Sequence, residues 1–194
     1  MIIPHVIEDK GTGVEKVYDL FSLLMKDRII FVRGKFEQDM ADVIVAQLLY
    51  LESNDPDADI YMYINSPGGE ISSMYAIYDT MSYIKNDIVT IGMGTVASAS
   101  SFILAAGTSS KRFILPNTIA MIHELSSGMN GKYHDMKNRF EHTEMLYDKM
   151  AKHYVEFTGQ KLSKIKKDMK KDYYMTAEEA LEYGLVDAIQ DKRK

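Results

Sequence analysis

Three serines, one histidine and a pair of glycines carry most of the reactive chemistry this sequence offers. Ser98, Ser100 and Ser101 crowd the start of a small-residue segment, Ala97–Ala106, directly after an apolar run. A serine at such a turn commonly caps the following helix, but it can also serve as a nucleophile lying in the positive field of that helix. His123 closes the run Ile119-Ala120-Met121-Ile122, which puts an imidazole at the C-terminal end of a strand, where α/β sheets bind ligands. Pro67-Gly68-Gly69 follows a second strand end, and residues without side chains can turn their backbone amides inward as an anion cradle. A nucleophile, a base and an anion cradle together are the parts needed for acyl transfer. The third member of such a set is a carboxylate, for which Asp168, Asp172 and Asp187 are the downstream candidates. Residue chemistry alone ranks neither these three acids nor the three serines.

Other chemistries are poorly supported. Gly92-Met93-Gly94-Thr95-Val96-Ala97 fits the G-x-G-x-x-A outline of a dinucleotide site, but the acid wanted about twenty residues later is absent from Lys111–Asn117. Its glycines are better read as serving a tight strand-to-helix turn. No G-x-x-x-x-G-K-[ST] motif is present, so the chain carries no phosphate loop of its own. With no cysteine, disulfides, thiolate metal sites and a cysteine nucleophile are excluded. The five histidines form no H-E-x-x-H pattern, so no metal cofactor is expected, and His134, His142 and His153 read as solvated positions on a charged helix. Twenty-three Lys+Arg against 28 Asp+Glu leave a net charge of −5, the wrong sign for a nucleic-acid binder. Apolar runs such as Ile29–Val32 and Phe102–Ala106 fall far short of the ~20 residues that cross a bilayer, so no membrane partner is expected. No secretory signal is visible in the first thirty residues, and a cytoplasmic location is expected.

The elements that must hold these residues follow from periodicity. Val14–Met25 reads as an amphipathic helix, Ile29–Val32 as a buried strand and Ala41–Leu51 as a helix. Asp59–Ile64 reads as a strand closed by the breaker Ser66-Pro67-Gly68-Gly69. Ile71–Ile84 is helical, Ile88–Met93 extended and Ala97–Ala106 helical, followed by short strands at Arg112–Leu115 and Thr118–Ile122. Alternating strands and helices with continuously apolar strands predict an α/β fold around a largely parallel sheet. No linker or repeat divides the 194 residues, so one domain is expected.

Lys132–Phe157 is different. Met136, Phe140, Thr143, Tyr147, Met150, Tyr154 and Phe157 recur at spacings of four and three, one stripe of a helix ~39 Å long. Such a stripe either packs on the core or projects toward a second subunit. Its approach, Ser126–Gly131, is a loop by composition, and Thr176-Ala177-Glu178-Glu179 resembles a capping box opening a short helix ended by Gly184.

Four segments in register carry a resemblance. Asp59–Gly69, Ala97-Ser98, Met121-Ile122-His123 and Thr176–Asp187 closely resemble the ClpP family, the proteolytic subunits of ATP-dependent Clp proteases. The match runs from about Ile3 to the chain end and starts near the family's mature start, so no long propeptide is implied. The resemblance implies a crotonase-like α/β domain with a projecting helical handle at about 124–158 and an axial N-terminal segment at 3–16. It implies Ser98 as nucleophile, His123 as general base and Asp172 as orienting carboxylate, with the amides of Gly69 and Ala99 as oxyanion hole. Two stacked heptameric rings of this chain, a hexameric AAA+ ATPase that consumes the ATP, and peptide or unfolded-protein substrates are the implied partners. Tyr61, Tyr63 and Tyr83 match the family's docking pocket for that ATPase.

Ala99-Ser100 stands where most members have Met-Gly or Met-Ala, and Glu124-Leu125 where Gln-Pro is usual. Lys132 and Lys171 replace a glutamine and an arginine. In extended backbone Glu124 points away from His123, so the two are not expected to pair. The readings that rival a serine endopeptidase are a crotonase-type acyl-CoA enzyme and a non-catalytic ring subunit assembling with an active paralogue.

Overall fold

A computed structural model describes residues 3–9, 15–126, 128 and 130–192. β1 (His5–Asp9) and β2 (Glu15–Asp19) form an antiparallel hairpin that runs into a short helix, α1 (Leu20–Lys26). The amphipathic pattern read as a helix from Val14 is therefore split, and Val14 itself lies outside the described residues. The helix begins at Leu20 because the Asp19 carboxylate accepts hydrogen bonds from the amides of Phe21 and Ser22, a side-chain N-cap.

Among the described residues, seven strands form one sheet. β3 (Ile29–Phe36), β4 (Ile60–Gly69), β5 (Ile88–Ala97) and β6 (Arg112–Ile114) run parallel in that order, and β9 (Ala188–Ile189) is added beside β6. β5 forks. Its first half, Thr90–Gly92, pairs with β6, whereas Thr95–Ala97 pairs with β7 (Ile119–Ile122). β8 (Tyr173–Met175) then lies antiparallel on β7.

Both glycine motifs belong to strands, Gly68-Gly69 as the last two residues of β4 and Gly92 and Gly94 in the interior of β5. β4 continues through Ser66-Pro67-Gly68-Gly69, with Lys35 opposite Gly68 and Phe36 opposite Gly69. β5 passes Gly92 and Gly94 before ending at Ala97. The register between Ile64/Gly92 and Ser66/Val96 slips there, and Gly94 takes a positive φ of 64°. Gly94 thus serves a bulge that re-aims the strand end, and the strand-to-helix turn comes four residues later.

α2 (Gln38–Asn54) and α3 (Ile71–Tyr83) pack against each other over β3. Their Ile44, Leu48, Met74 and Ile77 meet Ile30, Val32, Met62 and Ile64 in the main core. All seven residues of α4 (Ala99–Ala105) are buried. Small side chains let this helix lie against β4 and β5 at close range. Arg112 clamps the far side of the sheet. Its guanidinium donates to both Asp187 carboxylate oxygens and to the carbonyls of Ala105, Phe157 and Gly184.

α5 (Tyr133–Thr158) has the 26 residues that the stripe implies, but only its last turns reach the core, at Met150, Ala151 and Tyr154. Tyr133, Phe140 and Met145 are exposed, so the first half of the helix is left uncovered by this chain. Gly159 ends it with a left-handed φ of 70°. α6 (Leu162–Asp168) returns along α5. α7 (Ala177–Tyr183) opens on the capping box, with Thr176 and Glu179 bonded reciprocally, and ends at left-handed Gly184.

Candidate active site

The register of three strands brings the reactive groups together. Ala97 lies opposite Met121 in the β5–β7 ladder, so Ser98 and His123 leave adjacent strand ends one and two residues later. Ile122 lies opposite Tyr173 in the antiparallel β7–β8 pair, which puts Asp172 beside His123. His123 Nε2 is 2.9 Å from Ser98 Oγ, and His123 Nδ1 is 3.0 Å from Asp172 Oδ1. With the proton on Nδ1 donated to the carboxylate, the bare Nε2 lone pair accepts the Ser98 hydroxyl proton.

Ser98 sits at the turn in an unusual backbone conformation, φ 58° and ψ −122°. Such a conformation costs about 1–3 kcal/mol for a residue with a β-carbon and must be held by its surroundings. Its amide donates to Met121 O at 2.9 Å. Its carbonyl accepts from Phe102 N at 3.2 Å and from Ser101 Oγ at 2.7 Å. Strain at this one residue aims its hydroxyl out of the strand end, while its own amide and carbonyl stay hydrogen-bonded.

The other two serines are engaged elsewhere. Ser100 is fully buried, with its hydroxyl 2.6 Å from Ser66 O and 2.8 Å from Ala97 O. Ser101 reaches Met121 O at 2.8 Å and the Tyr154 hydroxyl at 3.0 Å. Full burial of Tyr154 pushes its phenol well above its ordinary value, so it stays a neutral hydrogen-bonding partner. Of the three serines, Ser98 has its hydroxyl on an imidazole.

Ser98, His123 and Gly69 line one cleft of about 380 Å³, with Leu125, Leu146, Met150 and Tyr154 among its apolar walls. Ala99 is the first residue of α4, so its amide has no acceptor within the helix. Gly69 pairs with Phe36 so closely that a β-carbon there would collide with the Phe36 carbonyl. Ser66 is a functional support that sequence reasoning missed. Buried at 1% exposure, it donates to Gly34 O, accepts from Gly68 N at 3.0 Å, and offers its own carbonyl to Ser100. Its position two residues before a glycine, a hydroxyl-turn pattern, is the signal that could have revealed it.

The remaining candidates are dispersed. Asp187 belongs to the Arg112 clamp. Asp168 takes Lys164 Nζ at 2.6 Å and the Tyr183 hydroxyl at 3.0 Å. Tyr61 and Tyr63 share the sheet face opposite the core and line a pocket with Val89, Ile91 and Phe113. Tyr83 does not line it; it stands at the end of α3, 82% exposed. His134 and His142 are exposed, but His153 is not solvated as read. It packs among Tyr75, Tyr78, Phe102 and Phe157, with its ring stacked on Phe157 at 5.9 Å. Glu124 makes no hydrogen bond to His123, whose Nδ1 is taken by Asp172; its amide donates to Met169 O at 2.7 Å. Residues 10–14 of the axial segment, and Ser127 and Met129 of the loop before α5, lie outside the described residues. Among the described residues, no cluster of three or more His, Asp or Glu side chains could hold a metal, and no helix is long and apolar enough to cross a membrane.

A mixed α/β chain with a mainly parallel sheet, and a serine, histidine and aspartate hydrogen-bonded in series at its strand ends, has the architecture of a hydrolase built on an α/β scaffold. The model of the Clp protease family matches residues 12–193, and the chain belongs to that family. Membership places it among the proteases.

Proposed function

We propose that this chain is a serine endopeptidase of the ClpP type, with Ser98, His123 and Asp172 as its triad. The observation that carries the reading is the unbroken hydrogen-bond series Asp172–His123–Ser98, at 3.0 and 2.9 Å. Ser98 Oγ attacks the peptide carbonyl carbon while His123 Nε2 takes the hydroxyl proton. The carbonyl oxygen gains the charge and is received by the amides of Gly69 and Ala99. When the C–N bond breaks, His123 returns its proton to the departing amine. Water, deprotonated by the same imidazole, then attacks the acyl-enzyme and frees Ser98. Asp172 holds the tautomer and stabilises the transient imidazolium. No metal or organic cofactor takes part in these steps.

The proposed working unit is a cytoplasmic chamber of two stacked heptameric rings. Residues 1–194 form a single peptidase domain, with 124–158 as the handle between rings and 3–16 at the axial pore. The uncovered first half of α5, with exposed Tyr133, Phe140 and Met145, supports a second subunit as its cover. A hexameric AAA+ ATPase would spend the ATP, engage Tyr61, Tyr63 and Tyr83, and feed unfolded protein inward. The pocket that Tyr61 and Tyr63 share supports that role for these two.

Hydrolysis of short unstructured peptides by the assembled protein tests the reading. Cleavage is expected from the wild type and lost in Ser98→Ala. Equal cleavage by both would mean that the activity does not depend on Ser98.

A further inference from the structure

The two amides proposed to receive the oxyanion, those of Gly69 and Ala99, lie on different elements, β4 and α4. The β4–β5 ladder does not fix their separation. Its last pair is Ser66 opposite Val96, and Gly69 and Ala99 each come three residues beyond that pair. Past Ser66, Gly68 and Gly69 pair with Lys35 and Phe36 of β3, whereas β5 continues into the strained turn at Ser98 and then α4. One half of the hole therefore follows β3 and the other follows α4. Gly68 packs against the turn at Ala97–Ala99, but such contact only limits how closely the halves approach.

A buried hydroxyl makes the connection that the ladder lacks. Ser100 Oγ lies 2.6 Å from Ser66 O on β4 and 2.8 Å from Ala97 O at the end of β5, and the residue is fully buried. Its one proton serves both carbonyls, in surroundings where a hydrogen bond is stronger than in water. Ser66 passes the tie on, since its own hydroxyl accepts from Gly68 N at 3.0 Å and donates to Gly34 O on β3. We propose that Ser100 is a positioning residue, whose hydroxyl sets the distance between the Gly69 and Ala99 halves of the oxyanion hole. The inference rests on the proposed peptidase reading of Ser98. Ser100 stands at a position where the chain departs from the ClpP-family pattern, so the tie is particular to this chain. It touches no reacting atom and acts through the two amides.

The experiment compares Ser100→Ala with the wild type, both as the full assembled protein and at equal folded fraction. Removing an oxyanion-hole donor outright costs about 10²–10³ in kcat, so loosening the hole should cost less, about tenfold, with KM within about twofold. The pH profile of kcat should not move, because the Asp172–His123–Ser98 series is untouched. A peptide aldehyde, whose adduct with Ser98 puts an oxygen in the hole, should bind about tenfold more weakly to the variant, in line with kcat. The matching peptide alcohol, which forms no adduct, should bind both proteins alike; a merely structural role for Ser100 would weaken the two ligands together. Ser100→Cys keeps a weaker donor at the same place. It should fall between alanine and wild type, and it reads the same contrast where alanine does not fold. Wild-type kcat in these variants, equal weakening of aldehyde and alcohol, or a shifted pH profile would each overturn the inference. With cleavage still abolished by Ser98→Ala, those results leave the peptidase reading standing. Absence of any Ser98-dependent cleavage in the wild type would remove both readings.

Discussion

Gly68 lies against Ser98 so closely that a β-carbon built on the glycine would stand 2.7 Å from Ser98 Cβ and 2.9 Å from Ala99 N. Its φ of 91° is also in the region that favours glycine. The turn that strains Ser98 is therefore shaped from outside by a residue that can have no side chain. Gly68→Ala should force the Ser98 turn to shift by a few tenths of an ångström or more. A loss of about 1–3 kcal/mol in stability is expected from the backbone alone, with peptidase activity falling at least tenfold. Denaturant melts alongside peptide turnover would check both. Wild-type turnover in Gly68→Ala would show that the turn has slack that the geometry denies.

Asp172 and its rivals separate cleanly by substitution. Asp172→Asn should retain the fold, because the side chain is half exposed, yet lower kcat by about 10⁴ through the wrong imidazole tautomer. Asp168→Asn removes a partner of Lys164 and Tyr183 and should leave kcat within a few-fold. The comparison to make is kcat for the two variants at equal folded fraction. Equal losses would contradict the assignment of Asp172.

The Arg112–Asp187 clamp makes stability sensitive to acid. Burial works against ionisation of Asp187, but the hydrogen bonds from Arg112 prevail and hold its carboxyl below its ordinary value. A carboxyl depressed in the folded state stabilises the fold above its unfolded value, near 3.9, and loses that contribution as pH falls through the lower, folded value. Thermal melts should therefore lose stability below about pH 4 more steeply in the wild type than in Asp187→Asn. At neutral pH the same substitution leaves a largely buried guanidinium short of its counter-ion, at a cost of about 3–5 kcal/mol. Parallel melting curves for the two proteins across pH 2–5 would contradict this.

Phe102 is the hub beneath the site. Fully buried in α4, it meets the rings of Tyr75, Tyr78, Tyr154 and Phe157 edge-on at 5.2–5.8 Å. Phe102→Ala should cost about 3–5 kcal/mol, as expected for a large core ring. Because α4 carries Ala99, activity should fall before the protein unfolds. Chemical denaturation followed in parallel with activity would separate the two; a cost below about 1 kcal/mol would mean that the ring cluster repacks freely.

Much of this architecture was legible from periodicity, because such a strand or helix declares itself over four or more consecutive residues. Ile29–Val32, Ala41–Leu51, Ile71–Ile84 and the long helix of residues 133–158 are of this kind. The strand Glu15–Asp19 was missed because Val14–Met25 also fits a helical stripe, and only the Asp19 cap marks where the helix begins. The glycine pairs misled for a different reason. A bulge and a close strand approach use the same residues as a turn, and the bulge exists only in the pairing of β4 with β5. At the site, Ser98 and His123 were visible as strand-end residues, whereas Asp172 was not distinguishable by residue chemistry. Its place depends on a three-residue antiparallel strand, Tyr173–Met175, joining β7 from about fifty positions away. The resemblance to the ClpP family, rather than residue physics, singled it out. His153 looked solvated because its helix is charged, yet tertiary packing turned that face onto an aromatic cluster.

The central claim is that Ser98 is an activated nucleophile. Treating the assembled wild type and Ser98→Ala with a fluorophosphonate, and measuring intact mass, addresses it without any choice of substrate. One adduct per chain on the wild type, mapped to Ser98 and absent from Ser98→Ala, is the predicted result. An assembled wild type that takes up no label, or labels equally in Ser98→Ala, would contradict the account.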